Sequence, residues 1–222
     1  MEKKINKSLI TLIATASVAL FAFLAIMILV MSGYGFKVDK FNVIVANNRN
    51  AFWTSFLKIF THLGSFYTLA VLAIISVVLI WFLMKNKRMS AFYAGAFAIV
   101  CVANFVLKQI VRRIRPEHLM IIKETGFSFP SGHAMMTFAF FALAIHFVCK
   151  TIKNKPLKIT LISLFSILIA SIGFSRIYLG VHFLTDIIAG FLISYVVIAV
   201  CLIVYRGKMF KFLKDKGEGG EN

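Results

Sequence analysis

Six apolar stretches, long enough to cross a bilayer and almost free of charge, leave this chain few ways to fold. In hydrocarbon every backbone amide must find its partner within the segment, so a spanning stretch of about 20 apolar residues becomes an α-helix. The stretches are Ile10–Met31, Phe66–Met84 (with room for one more turn before it), Ala91–Ile110, Ala134–Cys149, Ile159–Phe174 and Phe183–Tyr205. With 60% hydrophobic residues and 24 phenylalanines among 222, the composition exceeds that of a soluble domain. The expectation is an all-α polytopic membrane protein, six transmembrane helices in one bundle, making a single integral-membrane domain over residues 1–222. Ile10–Met31 is expected to stay as a span: it is too long for a signal peptide, and no small-residue cleavage site follows it. Between the first two spans, Phe52, Phe56, Ile59 and Phe60 recur at helical spacing within Asp39–Phe60. They predict one amphipathic interfacial helix and not a seventh span.

The net charge of +17 raises a nucleic-acid reading, which its distribution excludes. The cations punctuate the apolar segments instead of forming one face or tail. Six spans put both termini on one side. Fifteen of the Lys and Arg residues flank the spans on that side and ten on the other, so the N-terminus (residues 1–8) and the polar, glycine-rich tail (206–222) are expected in the cytoplasm. The last stretch of that tail, "KDKGEGGEN" (214–222), predicts disorder. Cys101, Cys149 and Cys201 all fall in apolar runs and predict buried free thiols, with no disulfide or metal framework.

Three polar stretches fall where spans meet the opposite side: "KQIVRRIRP" (Lys108–Pro116), "PSGH" (Pro130–His133) and "SRIYLGVHFLTD" (Ser175–Asp186). Taken singly, each has an ordinary structural explanation. The first can be a snorkelling basic collar, the second a turn with Ser131 as helix N-cap, the third a structural His–Asp pair. Asp186 heads an apolar span, where a charge is costly and needs a partner. His182 lies four residues earlier, on the same helical face.

Together the three stretches suggest phosphoryl chemistry. Arg115 and Arg176 offer planar forks suited to phosphate oxygens, and Lys108 a compact charge. Ser131 and the amides around Gly132 open a helix whose N-terminus favours anions. His182, with one ring nitrogen held by Asp186, is the better nucleophile. His133 can protonate a leaving alkoxide and then activate water. The carboxylates on this side, Asp39, Glu117, Glu124 and Asp186, include no close pair in sequence to hold two ions, so neither a metal nor another cofactor is expected.

These residues resemble the tripartite signature of the type 2 phosphatidic acid phosphatase superfamily: Lys-x6-Arg-Pro, Pro-Ser-Gly-His and Ser-Arg-x5-His-x3-Asp. They read here as Lys108 to Arg115-Pro116, Pro130-Ser131-Gly132-His133, and Ser175-Arg176 with His182 and Asp186, in order and without substitution. The resemblance implies that Lys108, Arg115 and Arg176 bind phosphate with help from Ser131 and Gly132. It likewise implies that His133 is the general acid, His182 the nucleophile and Asp186 its orienting partner. It implies metal-independent hydrolysis of a lipid phosphate at the outer face of a bacterial plasma membrane. The small six-span plan is similar to bacterial members acting on undecaprenyl diphosphate or phosphatidylglycerophosphate, and an outward site favours the former.

Three alternatives stay open: a broad-specificity lipid phosphate phosphatase, a phosphotransferase of the same fold, and a silent lipid-binding or transport protein. The implied partners are the lipid substrate and the bilayer, with neither nucleic acid nor an obligate protein partner. Arg112, Arg113 and Lys123 are read as a patch for a second phosphate or for anionic lipids. His118 is a loop histidine of unassigned role, His62 is placed at an interface, and His146 is read as an interhelical packing histidine.

Overall fold

In the computed structural model, which describes residues 2–33 and 38–218 (side chains for 7–33 and 38–207), the described chain is helical with no strand. The elements are α1 Glu2–Met31, α2 Lys40–Asn47, α3 Ala51–Phe60, α4 Phe66–Met84, α5 Lys87–Val111, α6 Gly132–Thr151, α7 Lys155–Tyr178 and α8 Leu184–Glu218, with single 3₁₀ turns at Thr61–Gly64 and Glu117–Leu119. Among the described residues, six helices are long and apolar enough to span a bilayer, and they coincide with the six expected stretches. Their outer faces stay apolar and exposed, as at Phe21, Phe82 and Leu83. That surface is untenable in water and natural against lipid tails.

Most helices start where a short polar side chain caps the free amides. Asn50 accepts from Trp53 N at 2.9 Å, Asn86 from Met89 N at 3.0 Å, and Asn154 from Leu157 N at 2.9 Å ahead of Pro156. The spans run longer than their apolar cores because these caps lie outside the hydrophobic runs. The segment expected to form one amphipathic helix is two, α2 and α3. The break falls at Asn48–Asn50, where Asn50 takes extended backbone to cap α3. α3 keeps the expected apolar edge, with Phe52, Trp53, Phe56 and Ile59 exposed.

Two further expectations are corrected. α8 continues as helix to Glu218, into the 214–222 stretch expected to be disordered, and residues 219–222 lie outside the described residues. The side chains of Lys3, Lys4, Lys37 and the tail lysines, which enter the charge count, also lie outside them. Cys149 is exposed and Cys101 and Cys201 are half-buried, all with free thiols, because these helix faces turn toward lipid.

α6 is the centre of the bundle, packed by α5, α7 and α8, while α1 lies along α8 and α4 along α5. Val100, Met135, Ala139 and Ile198 interlock at the core. Near the polar end α8 presses onto the start of α6. A Cβ at Gly190 would stand 3.1 Å from Ala134 Cβ and 3.2 Å from the Ser131 carbonyl. This approach brings the α7–α8 junction against the Pro130–His133 turn. Gly190→Leu should therefore lower the unfolding midpoint in detergent, at a cost of about 1–3 kcal/mol. Gly95→Ala, with nothing within 4 Å of the added methyl, should leave the midpoint unchanged or slightly raised. Equal midpoints for the two variants would contradict this packing.

Candidate active site

Each signature residue reaches the site from a helix end. Lys108 sits in the last turn of α5 and Arg115 just beyond its left-handed end at Arg112. Ser131, Gly132 and His133 open α6, and Arg176 ends α7. His182 occupies the short junction before α8, and Asp186 lies in the first turn of α8. The Ser131 amide donates to the Asp186 carbonyl at 3.1 Å, which clips the α6 turn directly to the His182–Asp186 segment. All eight expected residues thus lie at one end of the bundle.

The His182–Asp186 pair is buried, with Nδ1 to Oδ2 at 3.4 Å. Ser128 Oγ lies 3.3 Å from the same ring nitrogen and donates to Asp186 Oδ2. The Phe183 amide donates to Oδ2 at 2.9 Å. On the far side of the ring, Nε2 faces the Arg115 guanidinium at 3.2 Å. With Nδ1 toward the carboxylate, Nε2 keeps its lone pair on the Arg115 side. Burial pushes the His182 ring down to about 3, against the opposing hydrogen bond that the ring donates to Asp186, so the imidazole is neutral at ordinary pH.

The cations converge on the same space. Arg115 is held by main-chain carbonyls, with Nε to Gly126 at 2.9 Å and its terminal nitrogens to Val181 at 2.8 Å and Thr125 at 3.0 Å. Burial lowers its pKa, opposed by Glu124 and Asp186. Arg176 is 1% exposed. It donates to Thr61 Oγ1 at 2.8 Å and pairs with Glu124, while its Nε has no partner. Glu124 also stands 4.0 Å from Arg115, so a carboxylate bridges the two arginines. Lys108 donates to the Phe127 carbonyl. An open recess of about 870 Å³, lined by Arg115, Lys123, Glu124, Gly126 and Phe127, adjoins them. An apolar cavity of about 330 Å³ among Ala73, Phe97, Leu143 and Phe147 lies toward the other end of the bundle.

Ser131 caps α6, accepting from Ala134 N at 3.4 Å, and Gly132 follows it as the first helical residue. His133 is part-buried and packs by the 3₁₀ turn after α3, where a Cβ on Gly64 would stand 3.4 Å from its ring.

Several site residues were not legible in sequence. Arg113 is grouped in the sequence with Arg112 and Lys123 as a basic patch for a second phosphate or for anionic lipids. It is instead 8% exposed, pairing with Asp186 Oδ1 at 2.7 Å and Asp39 Oδ2 at 2.5 Å and stacking 3.9 Å from the Phe183 ring. The left-handed turn at Arg112 turns this side chain inward. Asp39 and Asp186, which showed no proximity along the chain, do converge, with the Arg113 guanidinium between them. Ser128, Thr61, Asn42 and Glu124 were also missed, because each lies outside the signature. Arg112, His118, Lys123 and His62 stay exposed. His146 makes an interhelical contact with the Tyr93 hydroxyl at 3.0 Å, as expected.

Among known proteins, phosphatidylglycerophosphatase B of Bacillus subtilis is 37% identical over 92 residues, 40% of this chain; the match spans 44% of that relative, less than half its length. An undecaprenyl-diphosphatase of Sulfolobus acidocaldarius is 26% identical over 79% of this chain and 82% of its own. A solved structure of a transmembrane PAP2 type phosphatidylglycerolphosphate phosphatase from Bacillus subtilis shares the fold. Its TM-score is 0.79 at 24% identity, over 89% of this chain and 96% of that one. The profile of the PAP2 superfamily matches residues 89–210, more than half of the chain and all three polar stretches. The chain is a multi-pass membrane protein that belongs to the PAP2 superfamily.

Proposed function

We propose that this protein hydrolyses a lipid phosphate or diphosphate without a metal, through a phosphohistidine intermediate, at the outer face of the membrane. The observation that carries the reading is the His182 ring, backed at Nδ1 by Asp186 and Ser128 and facing the Arg115 guanidinium at Nε2. The Nε2 lone pair attacks phosphorus as the bond to the leaving oxygen breaks. His133 gives that oxygen its proton. A water then attacks the phosphohistidine, His133 takes the water's proton, and the N–P bond breaks to release inorganic phosphate. Asp186 offsets the positive charge that His182 acquires. Arg115, Arg176 and Lys108, with Ser131 and Gly132 at the helix start, hold the equatorial oxygens. Substrate phosphate takes the place of the Glu124 carboxylate between the two arginines.

The excess of cations flanking the opposite ends of the spans supports cytoplasmic termini and a site outside. An outward site suits undecaprenyl diphosphate released on the outer leaflet, and a named undecaprenyl-diphosphatase among the relatives supports that choice. The whole chain forms one phosphatase domain, with the signature at 108–186.

A panel of undecaprenyl diphosphate, phosphatidylglycerophosphate and phosphatidic acid in detergent, scored by free phosphate, tests the reaction. Wild type should release phosphate from undecaprenyl diphosphate fastest, with or without an added alcohol acceptor. Release that requires the acceptor would mark a transferase. His182→Ala should abolish turnover, and phosphate release equal to wild type would remove the nucleophile assignment. Arg115→Lys should lower kcat/KM by about a hundredfold, because an ammonium cannot replace the fork. In cells, Lys123→Cys in a cysteine-free background should react with an impermeant maleimide from outside. Labelling only after lysis would reverse the orientation.

A further inference from the structure

α2 lies far from the signature in sequence, yet two of its buried polar side chains reach the His182–Asp186 segment. Asp39 stands at the N-cap position of α2, where a carboxylate ordinarily accepts from its own helix amides. It makes no such bond. It turns away instead, accepting from Arg113 at 2.5 Å, from the Thr185 amide at 3.0 Å and from the Thr185 hydroxyl at 2.9 Å. Asn42, one turn on, donates to the His182 carbonyl at 2.7 Å and accepts from the Leu184 amide at 3.0 Å. It therefore grips the main chain on both sides of Phe183. Asp39 is 3% and Asn42 1% exposed.

The charges explain why a second carboxylate is useful. Arg113 alone would neutralise Asp186 and spend the charge needed to offset a cationic ring. Asp39 balances Arg113, so the cluster of Asp39, Arg113 and Asp186 keeps one net negative charge facing His182. When phosphorylation makes the ring positive, the buried cluster becomes neutral, which a low-dielectric site favours. Resting on the phosphatase reading above, we propose that Asp39, through Arg113 and Thr185, and Asn42, through the His182 main chain, are positioning residues. They set the orientation and charge of the nucleophile's carboxylate from the first extramembrane segment.

Asp39→Asn keeps the shape and removes the charge. With dioctanoyl phosphatidic acid and farnesyl diphosphate as substrates in detergent, kcat should fall about 10- to 100-fold, the range for lost outer-shell support. KM should stay within about twofold, because Lys108, Arg115 and Arg176 are untouched. Asp39→Glu, which restores the charge, should recover part of the loss. The ¹⁵N signals of the His182 ring should show an Nδ1–H tautomer in wild type and lose that preference in Asp39→Asn, whether or not substrate is turned over. A purely structural role would lower the melting temperature and leave both the tautomer and kcat per folded molecule unchanged. That result overturns the proposal, as does a rise in KM at constant kcat. If Asp39→Asn does not fold, Thr185→Ala, which removes only the bridging hydroxyl, decides by the same kcat and tautomer measurements. Wild type and His182→Ala run alongside. A wild type that releases no phosphate defeats the hydrolase reading, while the ring spectra still decide the positioning role.

Discussion

The arrangement depends on keeping a carboxylate charged at the head of an apolar helix. Asp186 is fully buried in the first turn of α8, where an uncompensated charge would cost several kcal/mol. It is retained by four donors: the Arg113 guanidinium, the Ser128 hydroxyl, the Phe183 amide and the His182 ring. Arg113 is in turn buried and balanced by Asp39. Removing one partner of such a group strands the others, at about 3–5 kcal/mol. Charge compensation therefore ties the segment after α5, the start of α2 and the start of α8 together at this end.

The same compensation shapes what the site can bind. Arg115 and Arg176 share one internal anion, Glu124, and Arg176 leaves one buried nitrogen unpaired. In the proposed function, an arriving phosphate meets preformed cations fixed by main-chain carbonyls and threonine, not mobile surface side chains. Preorganised donors of this kind need little rearrangement during reaction. The pattern agrees with membership of the PAP2 superfamily and with the proposed phosphoryl transfer.

Much of this was legible in the sequence because the membrane imposes strong rules. The six spans followed from apolar length, the start of α6 from Ser131 as a cap, and the expected site residues from three contiguous motifs. The boundaries moved outward because Asn86 and Asn154 begin helices beyond their hydrophobic cores. The single amphipathic helix became two because Asn50 interrupts a pattern that apolar spacing alone carried across. Arg113 was misread because adjacent arginines look alike in a string, and only the left-handed backbone at Arg112 sends the next side chain inward.

The sequence by itself determined the helical class, the bundle and the identity of the groups available for chemistry, since local periodicity and hydrophobic length are properties of contiguous residues. Tertiary structure alone decided which carboxylate balances which guanidinium. Asp39 and Arg113 are 74 residues apart, and Asp39 and Thr185 are 146 apart. No local pattern records such pairings. They arise when a desolvated charge must find its counter-charge among whatever side chains the packed helices bring within about 3 Å.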